Sequence, residues 1–135
     1  MSGETHLDKL LALIQPNLLP GEFVFCNLPS VDYEQIAELQ AIALFQEAEG
    51  LSLILERAVA DKADLDYSSV FRRITLSVHS SLDAVGFTAA ITGKLAEHGI
   101  STNVVAAFFH DHLFVPAEKA DKAMALLRQF EKGVD

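Results

Sequence analysis

The sequence predicts an α+β fold: two βαββα halves in tandem, each an antiparallel sheet with helices on one face. Three observations carry this. The run Ile74-Thr75-Leu76-Ser77-Val78-His79 alternates apolar and polar residues, as a strand with one buried face does. It leads into Ala84, Phe87, Thr88, Ile91 and Leu95, which share one helical face, and then into two further apolar runs. The order strand, helix, strand, turn, strand, helix reads from Phe23 to Ala63 and again from Ile74 to Phe130, a degenerate duplication. Residues 1–68 form the first half, with a leading helix, and residues 69–135 the second.

The leading helix is expected over His6–Gln15, with Leu7, Leu10, Leu11 and Ile14 at helical spacing and Pro16 as its stop. Asn17–Gly21 reads as a turn. Glu22–Leu28 reads as a strand apolar on both sides, Phe23 and Phe25 facing one way and Val24 and Cys26 the other, hence one covered on both faces. Asp32 with Gln35 has capping-box spacing and opens a short helix, Tyr33–Leu39. Ala41–Gln46 and Leu51–Glu56 are a hairpin around Glu47-Ala48-Glu49-Gly50. Arg57–Lys62 is a short helix, and Asp64–Ser69 a polar linker to the strand that Phe71 begins.

In the second half, Ser80-Ser81-Leu82-Asp83 also has capping-box spacing, so a helix is expected to start there and to end at Gly99. Thr102–Phe109 reads as a strand apolar on both faces, His110-Asp111 as a tight polar turn, and His112–Val115 as the partner strand. Pro116 suits the start of a last helix, which runs to Glu131 with Ala120, Ala123, Met124, Leu127 and Phe130 as its apolar stripe. A helix that crosses one face and is followed by a hairpin is the ferredoxin-like split arrangement, lacking one strand.

Half of the 135 residues are hydrophobic, enough for a sizeable core, and the formal charge is −9. That charge repels nucleic-acid phosphates and anionic membrane surfaces alike. A single cysteine, Cys26, excludes an internal disulfide and sits in an apolar strand, as a buried structural thiol does. The polar Met1–Lys9 start has no signal-peptide features and no apolar run is long enough to span a bilayer, so the cytoplasm is the expected location.

Chemistry concentrates at element junctions. The first N–H groups of a helix lack internal partners and carry partial positive charge, so the start of the middle helix can receive a carboxylate. Asp83 can either cap that helix or hold a ligand's ammonium group. Gly86 weakens a helix's first turns, which either a close approach by ligand or tight packing explains. The Asn103 amide can bond a strand-end turn or a ligand. His110 and His112 alternate as a metal pair would, but no clear cluster completes the ligand set, and no metal is assigned. His79, Ser80, Ser81 and Asp83 do not form a hydrolase triad: strand-end neighbours point apart and no G-x-S-x-G elbow is present.

The blocks HSSLDAVG, over His79–Gly86, and GIS-x-NVV…HDH-x-FVP, over Gly99–Pro116, resemble the ACT-domain family. The narrower resemblance is to small stand-alone bacterial proteins with two ACT-like halves. It implies a regulatory, ligand-sensing module rather than an enzyme, with no cofactor. The implied ligand is an amino acid held where a strand-to-helix loop meets a paired domain's strand. The implied contacts are Ser80, Ser81, Leu82, Asp83, Ala84, Val85 and Gly86 from the loop and Asn103 and Val104 from the strand. Exposed edge strands point to sheet pairing, within the chain or in a homo-oligomer. The alternative is a protein-interaction module with no small ligand; a small enzyme using His79 or the His110–His112 pair is the third.

Overall fold

The computed structural model describes residues 7–78 and 85–131. In chain order the elements are α1 (Leu7–Ala12), β1 (Pro16–Leu18), β2 (Phe23–Leu28), α2 (Tyr33–Leu39), β3 (Ala43–Glu47), β4 (Gly50–Glu56), α3 (Arg57–Lys62), β5 (Phe71–Leu76), α4 (Phe87–Glu97), β6 (Asn103–Ala106), β7 (Asp111–Pro116), a 3₁₀ turn (Ala117–Lys119) and α5 (Ala120–Glu131). They fall into two compact units. The inserted unit is Gly21–Phe71; the flanking unit joins the residues up to Pro20 with those from Arg72 on. The leading segment therefore belongs with the second half of the chain rather than the first.

In the inserted unit the strands run antiparallel in the order β3-β4-β2, and Phe71 pairs with Phe23. Val24, Cys26 and Leu28 turn one way and join Leu51, Leu53 and Leu55, Leu39 of α2 and Ala60 of α3 in one core. Here the expectation of a strand covered on both sides is corrected. Phe25 and Asn27 on the other side of β2 are exposed, so only one face is consistently buried. Asp32 caps α2, accepting from the N–H groups of Glu34 (3.1 Å) and Gln35 (3.4 Å). The hairpin closes at Glu47 opposite Gly50, with Ala48-Glu49 as its turn; β3 starts at Ala43 and includes Glu47. Gly50 has φ +135°, and a Cβ there would lie 2.4 Å from the Leu28 carbonyl oxygen.

In the flanking unit the strand order is β5-β7-β6, and β1 pairs antiparallel with β5 from Pro16 opposite Leu76 to Leu18 opposite Ile74. The expected turn over Asn17–Gly21 is thus partly a strand. Pro16 is its first residue, where proline is tolerated in a sheet. β6 stops at Ala106 rather than running to Phe109. The Ala107 N–H donates to the His110 carbonyl (3.1 Å), closing the hairpin over residues 107–110. Asp111 belongs to β7, opposite Ala106, not to the turn. Phe108 and Phe109 stand 68% and 63% exposed at the tip, packed edge to face.

The core of this unit gathers Leu10 and Ile14, Ile74 and Leu76 of β5, Phe87, Ile91 and Leu95 of α4, Leu113 and Val115 of β7, and Ala120, Ala123, Met124 and Leu127 of α5. The apolar stripes of α4 and α5 therefore face inward as their spacing requires. At the far end of α4, Ile100 N–H bonds back to the Leu95 carbonyl (3.0 Å), and Lys119 Nζ donates to the Gly99 carbonyl (2.7 Å).

Candidate ligand-binding site

The strand-to-helix junction after β5 leads into the start of α4. α4 begins at Phe87, not at the Ser80–Asp83 block. Its N-cap is Gly86, in the left-handed conformation at φ +85° and ψ −9°, with no side-chain cap. Gly86 therefore does not sit within the helix's first turns; it is the residue that starts the helix, which accounts for a glycine there. The first intrahelical bond runs from Ala90 N–H to the Gly86 carbonyl (3.0 Å). The N–H groups of Phe87, Thr88 and Ala89 have no acceptor within the helix itself, and Gly86, having no side chain, offers them none.

These donors border a shallow notch lined by Leu76, Phe87, Thr88, Ile91, Val104, Asp111 and Leu113. Its floor is apolar because α4 and the hairpin meet there over the core. Its two polar lining residues are Thr88, in the first turn of α4, and Asp111, at the start of β7. A helix start, a threonine, an aspartate and an apolar floor thus meet around one small concavity.

Ser80, Ser81, Leu82, Asp83 and Ala84 lie outside the described residues. Val85 is 87% exposed beside the helix start, and Gly86 caps it. Val104 lines the notch from β6, opposite Leu113. Asn103 is not in the lining. It is exposed, pairs with Phe114 and, as Val104's neighbour on a strand, turns to the other face of the sheet. Neither Thr88 nor Asp111 is singled out by sequence. Spacing groups Thr88 with Ala84, Phe87, Ile91 and Leu95 on one face, whereas Thr88 is exposed, and a polar pair between two apolar runs puts Asp111 in the turn.

On the other face of the β5–β7 pair, His112 Nδ1 lies 2.9 Å from Thr75 Oγ1. Burial pushes the His112 pKa below its ordinary value, the nearby Arg73 and His110 add to this, and Asp111 opposes it. His110 Nδ1 is buried and has no hydrogen-bond partner among the described residues. No group of three or more His, Cys, Asp or Glu among the described residues could hold a metal ion. Burial, and secondarily the Asp66 charge, raise the Cys26 thiol pKa, so it is not a thiolate nucleophile. No helix among the described residues is long and apolar enough to cross a membrane.

Comparison with known proteins fits this arrangement. Two ACT-domain family models match, one over residues 2–72 and the other over residues 68–129. No curated protein matches. Among solved structures, a Vibrio cholerae protein of unknown function, described as a possible transport protein, is 47% identical over 93% of this chain and 95% of its own, with a TM-score of 0.85. The ligand-free regulatory subunit of aspartate kinase from Thermus thermophilus superposes with a TM-score of 0.65 at 11% identity, over 87% of this chain and 97% of its own. Escherichia coli aspartokinase III, in complex with aspartate and ADP, gives 0.61 at 12% identity, over 87% of this chain and 33% of its own. At such identity the last two are likenesses of fold. With matching family models over both halves, the chain belongs to the ACT-domain family and carries two ACT domains in tandem.

Proposed function

We propose that the protein is a non-catalytic regulatory module that binds a small molecule of the amino-acid class and works as a homo-oligomer in the cytoplasm. The observation that carries this is the N-terminus of α4, begun by a glycine that offers no side-chain cap, beside a notch lined by Thr88 and Asp111. An α-amino acid matches the set group by group. Its carboxylate meets the N–H groups of Phe87, Thr88 and Ala89 and the Thr88 hydroxyl. Its ammonium faces Asp111, and its side chain lies beside Val104, the partly accessible apolar residue of the lining. From the family resemblance, Ser80, Ser81, Leu82, Asp83, Ala84, Val85 and Gly86 are proposed as further ligand contacts. Asn103, on the other face of β6, contacts the ligand held by a paired copy.

The fold shared with the regulatory subunit of aspartate kinase supports the regulatory reading. The test is a thermal-shift screen of the common amino acids on the parent protein, on Thr88→Val and on Asn103→Ala. A true ligand at about 100 times its Kd adds about 2.7 kcal/mol and raises Tm by several degrees. Thr88→Val is expected to lose most of that rise with little change in its own Tm, since Thr88 is exposed. If no amino acid moves the Tm of the parent, the ligand reading fails.

A further inference from the structure

We propose that the flanking unit carries a second ligand site, an oxyanion site on the sheet face turned away from α4, built from Arg73 and Thr75 of β5 and His112 of β7, with His110 at its margin. It takes the phosphate or carboxylate group of a small metabolite. It lies on the opposite side of the sheet from the notch and does not depend on the reading of that notch.

Alternation along the strands places these residues. Ile74 and Leu76 enter the core with Leu113 and Val115, so Arg73, Thr75 and His112 turn to the other face. The 2.9 Å separation of Thr75 Oγ1 and His112 Nδ1 agrees with this. The same row runs outward to Asn17, opposite Thr75, and to Val105, opposite His112. Arg73, Thr75, His110 and His112 are all partly exposed, within reach of a solute.

The charge of this face runs against that of the chain. The sequence has 19 Asp and Glu against 10 Lys and Arg. Yet β1, β5, β6 and β7 together contain one acidic residue, Asp111, and it lines the notch on the other side. After burial, the positive charges of Arg73 and His110 are what hold the His112 pKa down, with Asp111 opposing. Cationic groups are thus gathered where no strand residue on their own face neutralises them, and an anion that joins them relieves their repulsion. His110 Nδ1 is a buried polar atom with no hydrogen-bond partner among the described residues, and a turn of its ring toward a bound oxyanion gives it one. Thr75 occupies His112 Nδ1, so Nε2 is the nitrogen left for a ligand. The Arg73 guanidinium adds the paired N–H donors that suit phosphate and carboxylate oxygens.

The experiment follows the imidazole signals of the five histidines by proton–nitrogen NMR at about pH 6.5, on the parent, on His112→Gln to assign its ring, and on Arg73→Gln. Sodium phosphate, sodium acetate or, at matched ionic strength, sodium chloride is added. Phosphate, acetate or both are expected to move the His110 and His112 rings saturably and to raise the His112 pKa by about 1 unit, since a bound anion favours the imidazolium. His98, whose Nδ1 meets the Lys94 carbonyl in the last turn of α4, is expected to stay unmoved. A response to phosphate alone identifies a phosphate group, and a response to acetate alone a carboxylate. Arg73→Gln is expected to weaken binding by about tenfold or more. Ring shifts that chloride reproduces, or that fall equally on His98, overturn the site, as does undiminished affinity in Arg73→Gln. Shifts confined to the Thr88 and Ala89 amides overturn it in favour of the start of α4. Should Arg73→Gln fail to fold, the ring signals of the parent decide the matter alone.

Discussion

Gly50 shows how one residue fixes a hairpin. It holds φ +135°, and any Cβ there would press on the Leu28 carbonyl oxygen and on Asn27 Oδ1. Gly50→Ala is therefore expected to destabilise the protein by about 3–5 kcal/mol, from backbone strain plus a clash with main chain that cannot step aside. Urea unfolding measures it. His112 makes a pH-dependent case. Its folded-state pKa lies below the ordinary 6.5, with burial as the main cause. The unfolded chain then binds more protons as pH falls through about 6.5, so stability declines with acidification in that window and levels off below the folded pKa. Tm is expected to fall between about pH 7.5 and 5.5, before carboxylates titrate. A His112→Gln variant, whose amide can still meet the Thr75 hydroxyl, should show a flatter profile over that range.

Among the elements, α4 carries opposite glycine effects at its two positions of interest. Gly93 lies on its exposed side with nothing within 4 Å of an added methyl, while Gly86 sits at the N-cap with φ +85°. Gly93→Ala should stabilise by about 0.5–1 kcal/mol by helix propensity alone. Gly86→Ala should destabilise by about 1 kcal/mol or more although Leu7 leaves room for it, because the backbone conformation is the obstacle. Thermal denaturation of the two variants gives shifts of opposite sign. The same helix marks what is legible in the sequence. Its buried residues Phe87, Ile91 and Leu95 follow from spacing, as does the Asp32 cap of α2. Its start does not, because Ser80–Asp83 satisfies capping-box spacing as well as any true cap, and spacing carries no register. β1 is also illegible: three residues that begin at a proline show no period, and only pairing with β5 makes them a strand. Sequence extends β6 too far because Phe108 and Phe109 have strand character, and only their exposure at the hairpin tip takes them out of it. At the notch, the family resemblance reaches Val104 but neither Thr88 nor Asp111. A concavity assembled from α4, β6 and β7 together is announced by no one segment.

For the molecule as a whole, chain order and compact unit do not coincide, with a measurable consequence. Two ACT-domain models match consecutive stretches, yet the residues up to Pro20 pack with those from Arg72 on. Leu10 and Ile14 are 0% exposed in the core that also holds Ile74, Ile91, Leu95 and Leu127. Fully burying two such side chains contributes about 3–6 kcal/mol, and β1 covers one side of β5 besides. A domain's entire stability is about 5–15 kcal/mol, so the loss is of the same order as the total. The fragment 69–135, cut where the sequence repeat suggests, is therefore expected to lack a cooperative unfolding transition and to show collapsed amide dispersion in proton–nitrogen spectra. Adding residues 1–20 as a separate peptide should restore dispersed resonances, because that segment supplies the missing helix and strand without any of the inserted unit. A peptide carrying Leu10→Ala and Ile14→Ala should not, since it keeps the length and most of the polar surface but not the two side chains that fill the core. A fragment 69–135 that folds cooperatively on its own would show that the repeat, rather than the contact pattern, defines the folding unit.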